Sequence, residues 1–210
     1  MAPALIIACG ALARELTAVI AANGWQHVQV QCLPADLHNR PEKIPDAVRE
    51  KIRAGRAHFG RILVAYADCG TGGLLDRVLE DEGVERLPGA HCYEFYAGAA
   101  AFAAIAEAEP GSFYLTDFLV RHFERLVIRE LGIERHPELA QQYFGNYRRL
   151  VYLAQHADAQ LQEQARQAAA RLGLAFEYRF TGYGDLARTV VGFYRGAARD
   201  PDTEQQTWQS

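Results

Sequence analysis

Three of the four cysteines in this 210-residue chain stand where a strand-like run gives way to glycine or to a helix-like segment. Cys9 follows Leu5-Ile6-Ile7-Ala8 and precedes Gly10. Cys69 follows the run from Ile62 to Ala67 and the carboxylate of Asp68, and precedes Gly70-Thr71-Gly72-Gly73. Cys92 follows Gly89-Ala90-His91 and opens Tyr93-Glu94-Phe95-Tyr96. Thiolates are soft ligands for zinc and for iron–sulfur clusters. A thiol at the N-terminal end of a helix also ionises more readily. The expectation is one shared metal site with Cys9, Cys69 and Cys92 as ligands and His91 as a further ligand. Asp68 and Glu94 are the candidate catalytic or orienting carboxylates. Gly10 and Gly70 would let the backbone approach the bound group without a side-chain clash.

Each residue also has a plainer reading. Asp68 could simply cap the helix that follows. Cys32 sits inside a strand-like run without flanking glycine and reads as a small hydrophobe of the core. His38 is another candidate donor or anion contact, or part of a solvated turn. Thr116-Asp117 reads as a helix cap. Thr181, Tyr183 and Asp185 end a strand. Tyr143, Asn146, Tyr147 and Arg148 read as packing or a subunit contact. His122, His136 and His156 read as surface or partly buried helix residues.

The elements that must position the thiols alternate. Short apolar runs at 5–8, 27–33, 62–67, 112–115, 149–154 and 174–180, and a weaker fourth strand into which 83–88 leads, are separated by segments with helical spacing. Those helical segments span 11–22, 45–57, 74–82, 92–108, 118–131, 136–144, 158–172 and 186–194. This pattern predicts a single α/β domain over 1–196, Rossmann-like and three-layered, with a mostly parallel sheet of about seven strands. The polar tail 197–210 is expected to be disordered. Ligands bind such sheets beyond the carboxyl ends of the strands. With a strand order 2-1-3-4, the ends carrying Cys9, Cys69 and Cys92 would be neighbours.

Composition narrows the function classes. Half the residues are hydrophobic and the formal net charge is −4, with no basic block to grip nucleic acid. No apolar run reaches the length of a membrane span. The N-terminus lacks a basic region and reads as a first strand, so a cytoplasmic location is expected. No GxGxxG, GxSxG or P-loop pattern occurs. Zinc is the expected metal, with a [4Fe–4S] cluster as the alternative. The rival readings are a non-catalytic metal or cofactor carrier and a metal-free enzyme with Cys69 as nucleophile.

The motifs Ala8-Cys9-Gly10-Ala11-Leu12, Tyr66-Ala67-Asp68-Cys69-Gly70-Thr71-Gly72, Gly89-Ala90-His91-Cys92-Tyr93-Glu94-Phe95-Tyr96, Phe113-Tyr114-Leu115-Thr116-Asp117-Phe118 and Tyr143-Phe144-Gly145-Asn146-Tyr147-Arg148 resemble those of the DUF1638 family, a domain of unknown function. The resemblance runs from Leu5 to about Tyr194. It implies an association of some members with corrinoid-dependent methyltransferases. A corrinoid protein or methyltransferase is thus the expected partner, beside a small-molecule substrate handled by methyl or thiol transfer. A homodimer is also expected. No catalytic residues carry over from the resemblance.

Overall fold

A computed structural model describes residues 3–197. The chain forms two parallel sheets, where the sequence pattern predicts one. The first has the order β2-β1-β3-β4, with β1 Ala4–Cys9, β2 Val28–Leu33, β3 Arg61–Ala65 and β4 Glu85–Arg86. The second has the order β5-β6-β7, with β5 Ser112–Thr116, β6 Arg149–Ala154 and β7 Ala175–Phe180. The division falls at β4. With only two residues, paired to Leu63 and Val64 of β3, it offers no free ladder on which β5 could continue the sheet.

The expected order of the first four strands is observed. β1 lies between β2 and β3 and is buried along its whole length, so it reads as an unbroken apolar run. The helix α2 (Ile44–Gly55) buries Ile44, Val48 and Ile52, four residues apart, against that sheet. Each such side chain contributes about 1.5–3 kcal/mol by leaving water.

A second core surrounds β5 and β6, where Leu115, Leu150 and Tyr152 meet Leu161, Ala165 and Ala169 of α8 (Ala159–Leu172). Asp158 starts α8 by accepting from the N–H groups of Gln160 and Leu161. After β7 the chain returns to the first half. In α9 (Gly184–Ala197), Leu186 and Val190 join the first core, and Arg61 lies over the Phe193 ring.

Several expected helices begin or break differently. The segment 11–22 opens as a 3-10 turn, Gly10–Leu12, before α1 (Ala13–Ala22). The segment 92–108 divides at Gly98, whose φ is +81°, into α4 (Cys92–Ala97) and α5 (Ala99–Ala108). The segment 118–131 divides into α6 (Asp117–Arg121) and a π-helix, Glu124–Arg129. Leu74–Glu82 forms α3 as expected, and α7 is Leu139–Phe144. Cys32 is exposed because β2 is an edge strand, so the expectation that it packs in the core is corrected. The expectation for the tail lies outside the described residues beyond Ala197, which closes α9. Among the described residues no helix is long and apolar enough to cross a membrane.

Candidate functional site

All strands of the first sheet run parallel, so their carboxyl ends share one edge. Cys9 is the last residue of β1, and its Sγ accepts from the Ala11 N–H at 3.4 Å. Cys69 lies beyond β3, where the chain stays beside the segment after β4. The Asp68 N–H donates to the Gly89 carbonyl and the Cys69 N–H to the Ala90 carbonyl. Cys92 is the first residue of α4. All three thiols are buried in one core.

The thiols also act on one another. Burial pushes Cys9 up to about 12, with the neighbouring Cys69 adding to the rise. Burial and the Asp68 carboxylate push Cys69 up to about 11. Burial, then Cys69 and Cys9, raise Cys92 well above the ordinary thiol range. Three sequence-distant thiols thus stand close together, with Cys69 disfavouring ionisation of Cys9 and both disfavouring that of Cys92. Among the described residues, no three His, Cys, Asp or Glu side chains are arranged to hold a metal ion as they stand.

Two histidines flank the thiols. The Nδ1 of His38 lies 3.6 Å from the Cys9 Sγ. Burial lowers the pKa of His38, and His91 nearby lowers it further. A neutral imidazole is the form that binds a metal or accepts a proton. His91 is exposed at the N-cap of α4 and lines the cavity described below. The 3-10 turn Ala35–Asn39 carries His38 toward Cys9.

Asp68 is occupied locally. Its carboxylate accepts from the Thr71 hydroxyl at 2.7 Å and from the N–H groups of Gly73 and Gly72. Burial opposes its charge, but these bonds and Arg86 outweigh it and hold the carboxyl below its ordinary value. Cys69 follows with φ +51°, the single non-glycine residue with positive φ among the described residues, and such strain collects at functional sites. Glu94 folds back to accept from the Ala90 N–H at 3.1 Å. It lies so near Gly89 that a Cβ there would fall 2.5 Å from its Oε2. Gly10 packs on the Leu33 carbonyl, and Gly70 lines the cavity with φ +83°.

Arg86 fixes the loop that carries Cys92. Its guanidinium grips both carboxylate oxygens of Asp76 on α3, at 2.5 and 2.9 Å. It also donates to the carbonyls of Leu87 and Gly89. A planar fork can hold three groups at once in this way.

A cavity of about 390 Å³ opens in front of the thiols, between the two sheets. Cys69, Cys92, His38 and His91 form one wall. The opposite wall is apolar, with Phe113, Phe118, Leu119 and Phe144 from the second half. The π-helix contributes Leu126 and Val127 to it, and π segments are frequent at functional sites. The Asn39 amide reaches across to donate to the Leu126 carbonyl.

A second polar cluster lies on the carboxyl edge of the other sheet. His156 occupies a bend just beyond β6, not a helix, and its Nδ1 is 2.8 Å from Asp117. Tyr183 meets its other nitrogen. Polar residues after three successive strands hinted at a cluster there, but nothing in the sequence joined His156 to Asp117.

The chain was compared with known proteins. No curated protein matches it. The family model described as "Protein of unknown function (DUF1638)" matches residues 32–190, which include Cys69, Cys92, Asp117, His156 and Tyr183, while Cys9 and Gly10 precede the match. This span covers well over half of the chain, and the protein belongs to the DUF1638 family.

Proposed function

We propose that this protein is a metal-dependent enzyme in which the thiolates of Cys9, Cys69 and Cys92 hold a zinc ion beside the cavity. The observation that carries this reading is the meeting of three buried, sequence-distant thiols in one core, with Cys69 acting on Cys9 and both acting on Cys92. Thiols without a cation nearby resist ionisation, and a bound metal reverses that by displacing their protons. His38 or His91 completes the donor set or orients it. Three protein ligands and an open position suit activation of a substrate thiol or a water molecule. The apolar wall would seat the body of a small substrate, consistent with methyl or thiol transfer.

The Cys69-nucleophile reading fares worse. A nucleophilic cysteine needs a depressed pKa, and burial with Asp68 moves Cys69 up to about 11. The reading keeps Asp68 and Glu94 as groups that shape the ligand loops through their backbone bonds. Within it, a corrinoid protein or methyltransferase would be the methyl donor. The exposed Tyr143 and Tyr147 would form the contact of a homodimer. A Rossmann-like arrangement remains part of this proposal for the four-stranded half.

Titration with cobalt(II) under anaerobic conditions tests the reading. Near-ultraviolet sulfur-to-cobalt charge-transfer absorption, saturating at one ion per chain and displaced by zinc, is the expected result. A cobalt spectrum without sulfur bands would overturn it.

A further inference from the structure

We propose that Asp117, His156 and Tyr183 form a second chemical site, in which His156 is a general base toward a small, largely apolar molecule carrying one ionisable O–H or S–H group. The inference deepens the reading above by naming the substrate class. It rests on the same cavity and not on the metal.

The three residues follow the three neighbouring strands β5, β6 and β7. Asp117 is fully buried. Its Oδ1 accepts from the Tyr152 hydroxyl at 2.7 Å and the Gln155 N–H at 3.0 Å. Its own N–H donates to the Gln155 Oε1 at 2.8 Å, which locks the carboxylate in place. Its Oδ2 lies 2.8 Å from His156 Nδ1, with the Arg121 guanidinium at 3.8 Å. A carboxylate accepts only, so Nδ1 carries a proton, and in its neutral form the ring presents a lone pair at Nε2. That atom is 3.1 Å from the Tyr183 hydroxyl, which donates to it in that form. A buried carboxylate behind an imidazole with an outward lone pair is the arrangement of a general base. The His156 side chain is 44 % exposed, so the lone pair is within reach of a small molecule.

The first half of the molecule supplies a further group. Glu15 on α1 is 2 % exposed, and its Oε2 has no hydrogen-bond partner. Burial raises its pKa, and Tyr96, Asp117 and His156 all act on it, so it stands near the relay. Arg14 and Glu15 act on Tyr183 in turn. A buried polar atom without a partner calls for an explanation, and a bound ligand is one. The relay lies near the cavity: Thr116, which precedes Asp117, and Tyr96, which acts on Glu15, line it, although Asp117, His156 and Tyr183 themselves do not. The aromatic and aliphatic wall fits an apolar body, leaving one polar hydrogen for His156.

In the step, the substrate group replaces the Tyr183 hydroxyl at Nε2. The O–H or S–H bond breaks, its electron pair stays on the substrate atom, and the proton passes to Nε2. Asp117 stabilises the imidazolium, and Tyr183 is released to donate to the new anion.

4-Nitrophenol is a suitable probe, because its absorbance reports its ionisation. The wild type should bind it with an apparent pKa at least about one unit below that of the free probe. His156→Gln should bind it without the shift, and the positioning variant Asp117→Asn should lose most of the shift. The shift should persist in wild-type protein stripped of metal by a chelator, which separates this inference from the metal reading. Nitrogen NMR of the ligand-free protein should show that the neutral His156 ring carries its proton on Nδ1, so the test does not depend on variants folding. A neutral ring protonated on Nε2, no binding of the probe, or an equal shift in His156→Gln would overturn the proposal.

Discussion

His38 Nδ1 stands 3.6 Å from Cys9 Sγ, joining the loop after β2 to the carboxyl end of β1. The contact turns an edge-strand loop into a wall of the thiol site. Its consequence is measurable, because His38→Ala should weaken zinc retention about 10- to 100-fold if the imidazole binds or orients a ligand. Competition with a chromophoric chelator measures this, and unchanged retention would remove His38 from the site.

Arg86 ties the Cys92 loop to α3 through Asp76 and two carbonyls. Arg86→Lys keeps the charge but loses the fork. Buried Cys92 then becomes reachable through local opening, and its alkylation by iodoacetamide should speed up about tenfold for each 1.4 kcal/mol of lost local stability. Peptide mass spectrometry after timed quenching reads the rate at Cys92 against Cys32, which is already exposed. Equal rates in both proteins would show that the clamp does not hold the loop.

Glu15 is destabilising wherever it must be charged. Burial raises its folded-state pKa above the unfolded value. Its favourable contribution is therefore present below the unfolded pKa and is lost as pH rises through the folded one. Glu15→Gln should raise the melting temperature near neutral pH and leave it nearly unchanged in acid buffer. A pH series of thermal melts decides this, and a variant less stable near neutral pH would contradict the assignment.

Gly184 starts α9 with φ +48°, and a Cβ there would lie 2.3 Å from the carbonyl oxygens of Phe95 and Tyr96. Backbone cannot give way as a side-chain end can. Gly184→Ala should cost about 1–3 kcal/mol in denaturant unfolding. A neutral result would mean that α9 does not press on α4 so closely.

Much of this architecture is legible in the residues. The run Leu5-Ile6-Ile7-Ala8 announces a strand buried on both faces, alternation with helical segments gives parallel pairing, and the common winding of such sheets gives the order of the first four strands. The division into two sheets is not legible, because it depends on the two-residue length of β4 and on pairings far apart in sequence. The thiols could be placed because Cys9 ends a strand-like run and Cys69 and Cys92 follow within a few residues of one. The helix-terminus help expected for Cys69 is weak, since α3 begins only at Leu74 after a turn capped by Asp68. His156 was hidden by its neighbours. Gln155-His156 looks like the start of a polar helix, and only the register of β5 with β6 brings it to Asp117.

The central claim is a thiolate-held metal, and metal content tests it most directly. Protein purified without air should contain about one zinc per chain and be colourless, and Cys9→Ala, Cys69→Ala and Cys92→Ala should each lose the metal. A brown protein with about four irons per chain would replace zinc with a [4Fe–4S] cluster on the same cysteines. Wild-type protein that retains no metal when prepared this way, and takes up none when zinc is supplied, would contradict the account.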